Sequence, residues 1–141
     1  MNSPIRVSYL LPLLWLLGCG VKPEPISFGT DQCHYCKMSI VDPKFGGELV
    51  TSKGKIYKFD ALECMISDIT QMDQEFAYTL GIAYNQPEKL VDVDSLVFVV
   101  SEEFNSPMGA NLAAFDGINA VDPKHQTYDW EQVIKHLSPN K

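Results

Sequence analysis

Three clusters of soft donors stand out in the chain: Cys33-His34-Tyr35-Cys36-Lys37-Met38, Cys64-Met65 and Pro107-Met108-Gly109. The thiolate of cysteine and the thioether of methionine are polarizable donors that favour Cu(I) over hard cations such as Mg²⁺ or Ca²⁺. Cys33, Cys36, Met38, Cys64, Met65 and Met108 are therefore candidate metal ligands. Asp60, four residues before Cys64, is an extra oxygen donor at one edge of the same expected helix. Zn²⁺ is the alternative ion, because its ligands include carboxylate as well as thiolate. The methionines carry a second reading. Met65 also falls in an apolar helical stripe and Met38 can serve as core, whereas Met108 sits in a turn, where side chains are usually polar.

The N-terminus bears on the compartment. Residues 1–18 carry one charged side chain, Arg6, followed by an apolar run interrupted by Pro12 and the tetrapeptide Leu16-Leu17-Gly18-Cys19. A run this short suits a signal h-region better than a membrane span. Leu-Leu-Gly-Cys is similar to a bacterial lipobox, so residues 1–18 are expected to be a lipoprotein signal peptide and Cys19 the lipidated first residue. A plain secretory signal is the alternative, and either form exports the chain. Three cysteines then remain, an odd number in a compartment where thiols normally pair. A bound metal would protect them from oxidation. A Cys33–Cys36 disulfide with Cys64 buried as a small apolar residue is the other reading.

The elements that must position these residues follow from patterning. Residues 19–30, including the proline-rich Val21–Ser27, read as a tether. Residues 47–51 and 56–59 are strand-like and joined by Ser52-Lys53-Gly54-Lys55, a hairpin turn. A helix follows, with Asp60 as N-cap, Glu63 completing a capping box and Leu62, Met65, Ile66, Ile69 and Met72 at helical spacing. Cys64 falls in its first turns, where the macrodipole favours thiolate. Residues 76–84 form a strand ended by Asn85-Gln86-Pro87. Residues 95–100 and 110–115 are further strands, Asp116 caps a short helical turn, 127–129 is extended, and Asp129 caps a last helix carrying Trp130, Val133, Ile134 and Leu137. The expected fold is α+β, two similar ββαβ halves (31–88 and 89–141) packed as one small domain.

Composition narrows the function classes. The 141 residues carry a formal charge of −7 and no Lys/Arg cluster, which argues against nucleic acid or an anionic membrane face as partner. No Ser-His-Asp set or phosphate loop is evident. A thioredoxin-type motif needs a strand before its C-x-x-C and a helix after it, and neither is expected around Cys33. His34 lies inside the motif and reads as exposed, and His125 and His136 read as surface residues.

The combination Asp31-x-Cys33-x-x-Cys36-x-Met38, Gly54-Lys55-x-Tyr57-x-Phe59-Asp60-x-x-x-Cys64-Met65 and Ser106-Pro107-Met108-Gly109 with Ala114-Phe115 resembles the NosL family. The resemblance runs from about residue 31 to the C-terminus. It implies a lipoprotein copper chaperone, facing the periplasm from a bacterial membrane, that delivers Cu(I) to nitrous oxide reductase with the help of membrane assembly factors. It also implies paired ββαβ halves distantly like the organomercurial lyase core. A partial resemblance to YHS-type metal knuckles, C-x-x-C-x-M followed by G-K-x-Y-x-F-C-x-x-x-C, implies a structural zinc module. Here Asp60 stands where that pattern has its third cysteine. A thiol–disulfide protein is the remaining alternative.

The lipobox reading gives a direct expectation. Cys19→Ser should yield a protein without lipid label that is either uncleaved or released from membranes; a variant that still carries lipid would refute the anchor.

Overall fold

The computed structural model describes residues 20–138, and the Cys19 assignment and the signal segment lie outside them. The elements run β1 (Gly47–Thr51), β2 (Ile56–Phe59), α1 (Leu62–Ile69), β3 (Phe76–Ala83), β4 (Gln86–Asp92), β5 (Leu96–Val100), β6 (Leu112–Asp116), β7 (Thr127–Tyr128) and α2 (Trp130–Leu137). Single 3-10 turns occupy Val93–Ser95 and Ile118–Ala120. The fold is α+β, with two antiparallel sheets ordered β2-β1-β3-β4 and β6-β5-β7.

The two halves repeat one topology. In each, the first strand lies between the second and the third, and a helical segment separates the second from the third. That segment is α1 in the first half and only the turn at Ile118–Ala120 in the second. The first half adds β4 and the second adds α2. The division therefore comes at Val93–Ser95 rather than between 88 and 89, because β4 pairs with β3 across Leu80–Ala83. Asn85-Gln86-Pro87 read in the sequence as the end of a strand, yet Gln86 and Pro87 open β4. Pro is tolerated there because β4 is an edge strand, and its pairing with β3 is broken by an irregularity at Ile82/Ala83.

Alternation places the core. Leu96, Phe98 and Val100 of β5 and Leu112 and Ala114 of β6 face the main core beneath both helices. Val97 and Val99, with Ala113 and Phe115, face a smaller cluster around Phe45, Tyr84, Phe104 and Val121. Both faces of this sheet are covered, which accounts for the unbroken apolar run of β5. The sheets also join directly, the Tyr84 N–H donating to the Ala114 carbonyl at 2.7 Å.

Two corrections concern the segments flanking the site. Residues 24–28 are docked rather than a free tether. Ile26 is buried in the core and Phe28 packs against it, the Glu24 N–H donates to Glu48, and Lys58 Nζ donates to the Pro25 carbonyl. The α1 cap also differs. The N-cap is Ala61, without a side-chain cap bond, and Asp60 lies outside the helix. The capping box appears instead on α2, where Asp129 and Gln132 bond reciprocally.

What seats α1 is a pair of glycines. Gly47 and Gly81 are register partners on β1 and β3. A Cβ on Gly47 would lie 3.0 Å from the Leu80 carbonyl oxygen and 3.0 Å from Met65 Sδ; one on Gly81 would lie 3.0 Å from Leu62 Cδ2. The helix carrying Cys64 thus rests on bare backbone. Gly47→Ala should cost about 1–3 kcal/mol, the usual penalty of overpacking, read as a lowered denaturation midpoint at unchanged slope. Unaltered stability would show that α1 does not depend on this floor.

Candidate metal centre

Local hydrogen bonding shapes the loop that carries the first two cysteines. The Cys33 N–H donates to the Met38 carbonyl at 2.8 Å, and the Lys37 N–H returns to the Cys33 carbonyl at 2.9 Å. Lys37 reverses the chain with φ 65°. Gln32 bridges Ser39, the Ile40 N–H donates to the Asp31 carbonyl, and the buried Ile40 roots the loop in the core. The loop is also tied to its neighbours. The His34 N–H donates to the Lys58 carbonyl on β2. Lys58 Nζ reaches the Asp31 carboxylate at 2.8 Å, and this ion pair and the Ser27 N–H hold Asp31 below the ordinary carboxylate range. His34 Nδ1 lies 2.6 Å from Asp68 Oδ2, one turn beyond Cys64, and its ring packs edge-on against Tyr57.

These ties bring Cys33, Cys36 and Cys64 together. Their sulfurs all lie within 4.8 Å of one another, and the three cysteines are free. Cys33 and Cys64 are buried, whereas Cys36 is partly exposed. The cluster carries its charge on Cys33. The Cys64 thiol donates to it, burial opposes, and the backbone N–H groups of Asp60 and Cys36 add their bonds, so its pKa falls to about 5. Cys64 is pushed up because it is the donor and is buried, and burial raises Cys36. The shifts favour the charge on Cys33 over Cys64, the residue at which the helix N-terminus was expected to place it. Cys33 receives more donors, and a second charge beside it is disfavoured by repulsion.

The remaining candidates separate. Asp60 is buried and does not join the thiol group. Burial raises its pKa, and Oδ1 has no hydrogen-bond partner among the described residues. Its contribution to the cluster is its backbone N–H. Met65 is fully buried in the main core, its Sδ over Gly47. Met38 and Met108 are 53% and 43% exposed, large exposure for apolar side chains. Met108 lines a cavity of about 230 Å³ together with Tyr35, Glu63, Cys64, Ser67, Ala110 and Leu137. The Pro-Met-Gly turn, distant in sequence, therefore opens onto the same space as Cys64. His125 is more enclosed than its sequence setting suggested, bonded to Glu103 and packed on Phe104.

Glu63 is the residue whose role patterning misassigned. It does not cap α1. It is buried, and it accepts a hydrogen bond from Ser106 Oγ, which in turn accepts from the Asn111 N–H at 2.8 Å. This bond fastens the Met108 turn to α1. Glu63 Oε2 has no hydrogen-bond partner among the described residues. The Ser-Pro-Met-Gly segment held the only hint, a buried serine in an otherwise exposed turn.

A family model described as NosL matches residues 25–122. Among solved structures, the crystal structure of the copper chaperone NosL from Shewanella denitrificans has a similar fold, with a TM-score of 0.69 at 18% identity, covering 80% of this chain and 96% of that chain. No curated protein matches the chain.

The charge distribution predicts a titration. The reduced, metal-free domain should carry one thiolate at neutral pH, seen by its ultraviolet absorbance, and lose it as pH falls through about 5. Between that value and the ordinary thiol pKa of 9.0 the folded cluster binds one proton fewer than the unfolded chain, so its contribution to stability rises with pH. Above that window Cys36 and Cys64 keep protons that the unfolded chain loses, and the trend reverses. A cluster that ionises only in the ordinary thiol range would contradict the assignment.

Proposed function

The chain belongs to the NosL family, and we propose that it is an extracytoplasmic, lipid-anchored carrier of Cu(I) that hands copper to an acceptor enzyme, nitrous oxide reductase or a related copper enzyme, through membrane assembly factors. The observation that carries this reading is the cluster of three free thiols within 4.8 Å. Three sulfurs with no carboxylate or imidazole in the group suit a soft ion of low coordination number. A structural zinc site takes four ligands in a tetrahedron and is closed; here three thiols cluster, and one of them, Cys64, borders the cavity of Met108. A redox role is less well supported, since Cys33 and Cys36 sit on a turn rather than at the N-terminus of a helix.

The arrangement suits ligand exchange. Cys33 and Cys64 are buried and held by backbone, while Cys36 and the thioethers of Met38 and Met108 face outward. Thiolates would supply affinity, and neutral thioethers would stabilise the ion weakly on the side from which an acceptor approaches. Loading displaces the protons of Cys36 and Cys64. The N-terminal lipobox would hold the domain at the membrane. No helix among the described residues is long and apolar enough to cross one.

Titration of the reduced domain with Cu(I) against a competing chelator tests this. We expect one Cu(I) per domain, bound in preference to Zn²⁺. Cys36→Ser and Cys64→Ser should each remove most of the affinity. Met108→Leu should weaken it by about tenfold, equivalent to roughly 1.4 kcal/mol, with the metal-free melting temperature nearly unchanged. Met65→Leu should leave affinity intact, because its sulfur serves the core. Tighter binding of Zn²⁺ in a tetrahedral thiolate site would favour the structural module instead.

A further inference from the structure

The cavity beside Cys64 has a feature that copper holding does not require. Glu63 is 8% exposed, and one of its carboxylate oxygens, Oε1, accepts the Ser106 hydroxyl proton. The other, Oε2, is buried without a partner among the described residues. A buried acceptor left unpaired carries a desolvation penalty. Such a group either stores strain or awaits a ligand. The cavity that Glu63 lines holds about 230 Å³, several times the roughly 30 Å³ share of one water. Its other walls are the Tyr35 ring, Ser67, Met108 and the metal-binding residue Cys64.

A ligand that satisfies both sides of this space must donate a hydrogen bond to Glu63 and a lone pair to a metal at Cys64. An ammonium or guanidinium group donates to the carboxylate but has no lone pair for copper. A thioether or thiolate binds copper but has no N–H for Glu63. Neutral imidazole does both, one nitrogen binding metal while the other gives its N–H to a carboxylate, the usual outer arrangement of metal-bound histidine. We infer that this cavity receives a histidine side chain of the copper-accepting partner, with one ring nitrogen taking copper held at Cys64 and the N–H of the other donated to the Glu63 carboxylate, whose buried Oε2 turns toward the cavity to accept it. The inference rests on the copper-carrier reading and specifies what the acceptor presents. In the exchange a Cu–N bond forms before a Cu–S bond breaks. The copper keeps its oxidation state, and the released thiolate takes a proton from solvent.

The test uses small imidazoles on the full Cu(I)-loaded domain. Binding is followed by nuclear magnetic resonance of the ligand and by X-ray absorption at the copper. Imidazole and a carbon-methylated imidazole, which both keep the N–H, should bind at least about tenfold more tightly than N-methylimidazole, as expected for a hydrogen bond to a charged acceptor. Glu63→Gln retains an oxygen for Ser106 but turns an amide donor toward the cavity, and the preference should vanish. A methionine-like thioether, lacking the N–H, should bind wild type and variant equally. Equal binding of the two methylimidazoles to wild type overturns the inference without recourse to the variant. So does a preference that survives in Glu63→Gln. A domain that takes up no Cu(I) overturns the copper reading and this inference with it, whereas normal Cu(I) uptake without N–H preference overturns this inference alone.

Discussion

Sulfur held out of water cannot carry charge freely, and the site is organised around that limit. One thiolate is sustained on Cys33 because the Cys64 thiol and two backbone N–H groups donate to it. A second negative sulfur within 4.8 Å would face both repulsion and lost hydration. The direction of these shifts favours one thiolate beside two thiols in the metal-free cluster. A soft monovalent cation offsets the one charge already present, and each further thiol it ligates gives up its proton to a charge that the cation partly screens. Affinity in such a site is coupled to pH.

That electrostatic arrangement works only if three residues from two separate segments stay in register. The loop is fixed by Ile40 in the core, by the Asp31–Lys58 ion pair and by the His34–Asp68 bond. The helix is fixed by its seat on Gly47 and Gly81. Exposed polar contacts contribute little individually, but these two are partly buried and join the cysteine loop to the elements that bear on Cys64. Their value is in limiting how far the sulfurs can separate when no metal is present.

The thiol cluster was legible in the sequence because soft ligands are chemically distinctive and Cys33-x-x-Cys36 fixes two of them in one turn. Every strand but β4, and both helices, were legible from alternation and helical spacing. The repeated topology followed from their order. What escaped was set by tertiary contacts. Asp60 and Glu63 looked like a capping box, yet the helix starts one residue later, which sends the Glu63 side chain to Ser106. β4 was hidden by Pro87, which an edge strand tolerates. Residues 24–28 looked like a linker because their single apolar anchors, Ile26 and Phe28, show no period. Met65 could not be told from a ligand by type alone; only its position over Gly47 assigns it to the core.

The site is asymmetric, and the asymmetry has a direction. Behind the sulfurs lie backbone donors and closed core. Toward solvent, Cys36 is partly exposed and Cys64 borders a cavity that Met108 also lines. An ion bound there meets strong, charged ligands on the protein side and weak or absent ones on the solvent side. In the carrier role proposed above, release would replace ligands one at a time, beginning with the weakest, so that no step leaves copper uncoordinated. A closed tetrahedral cage of the same sulfurs would bind more tightly but offer no such path. The buried Ser106–Glu63 bond belongs to this logic, because it fastens the Met108 turn to the helix of Cys64. Open and closed faces therefore stay at a fixed separation while the ligands between them are exchanged.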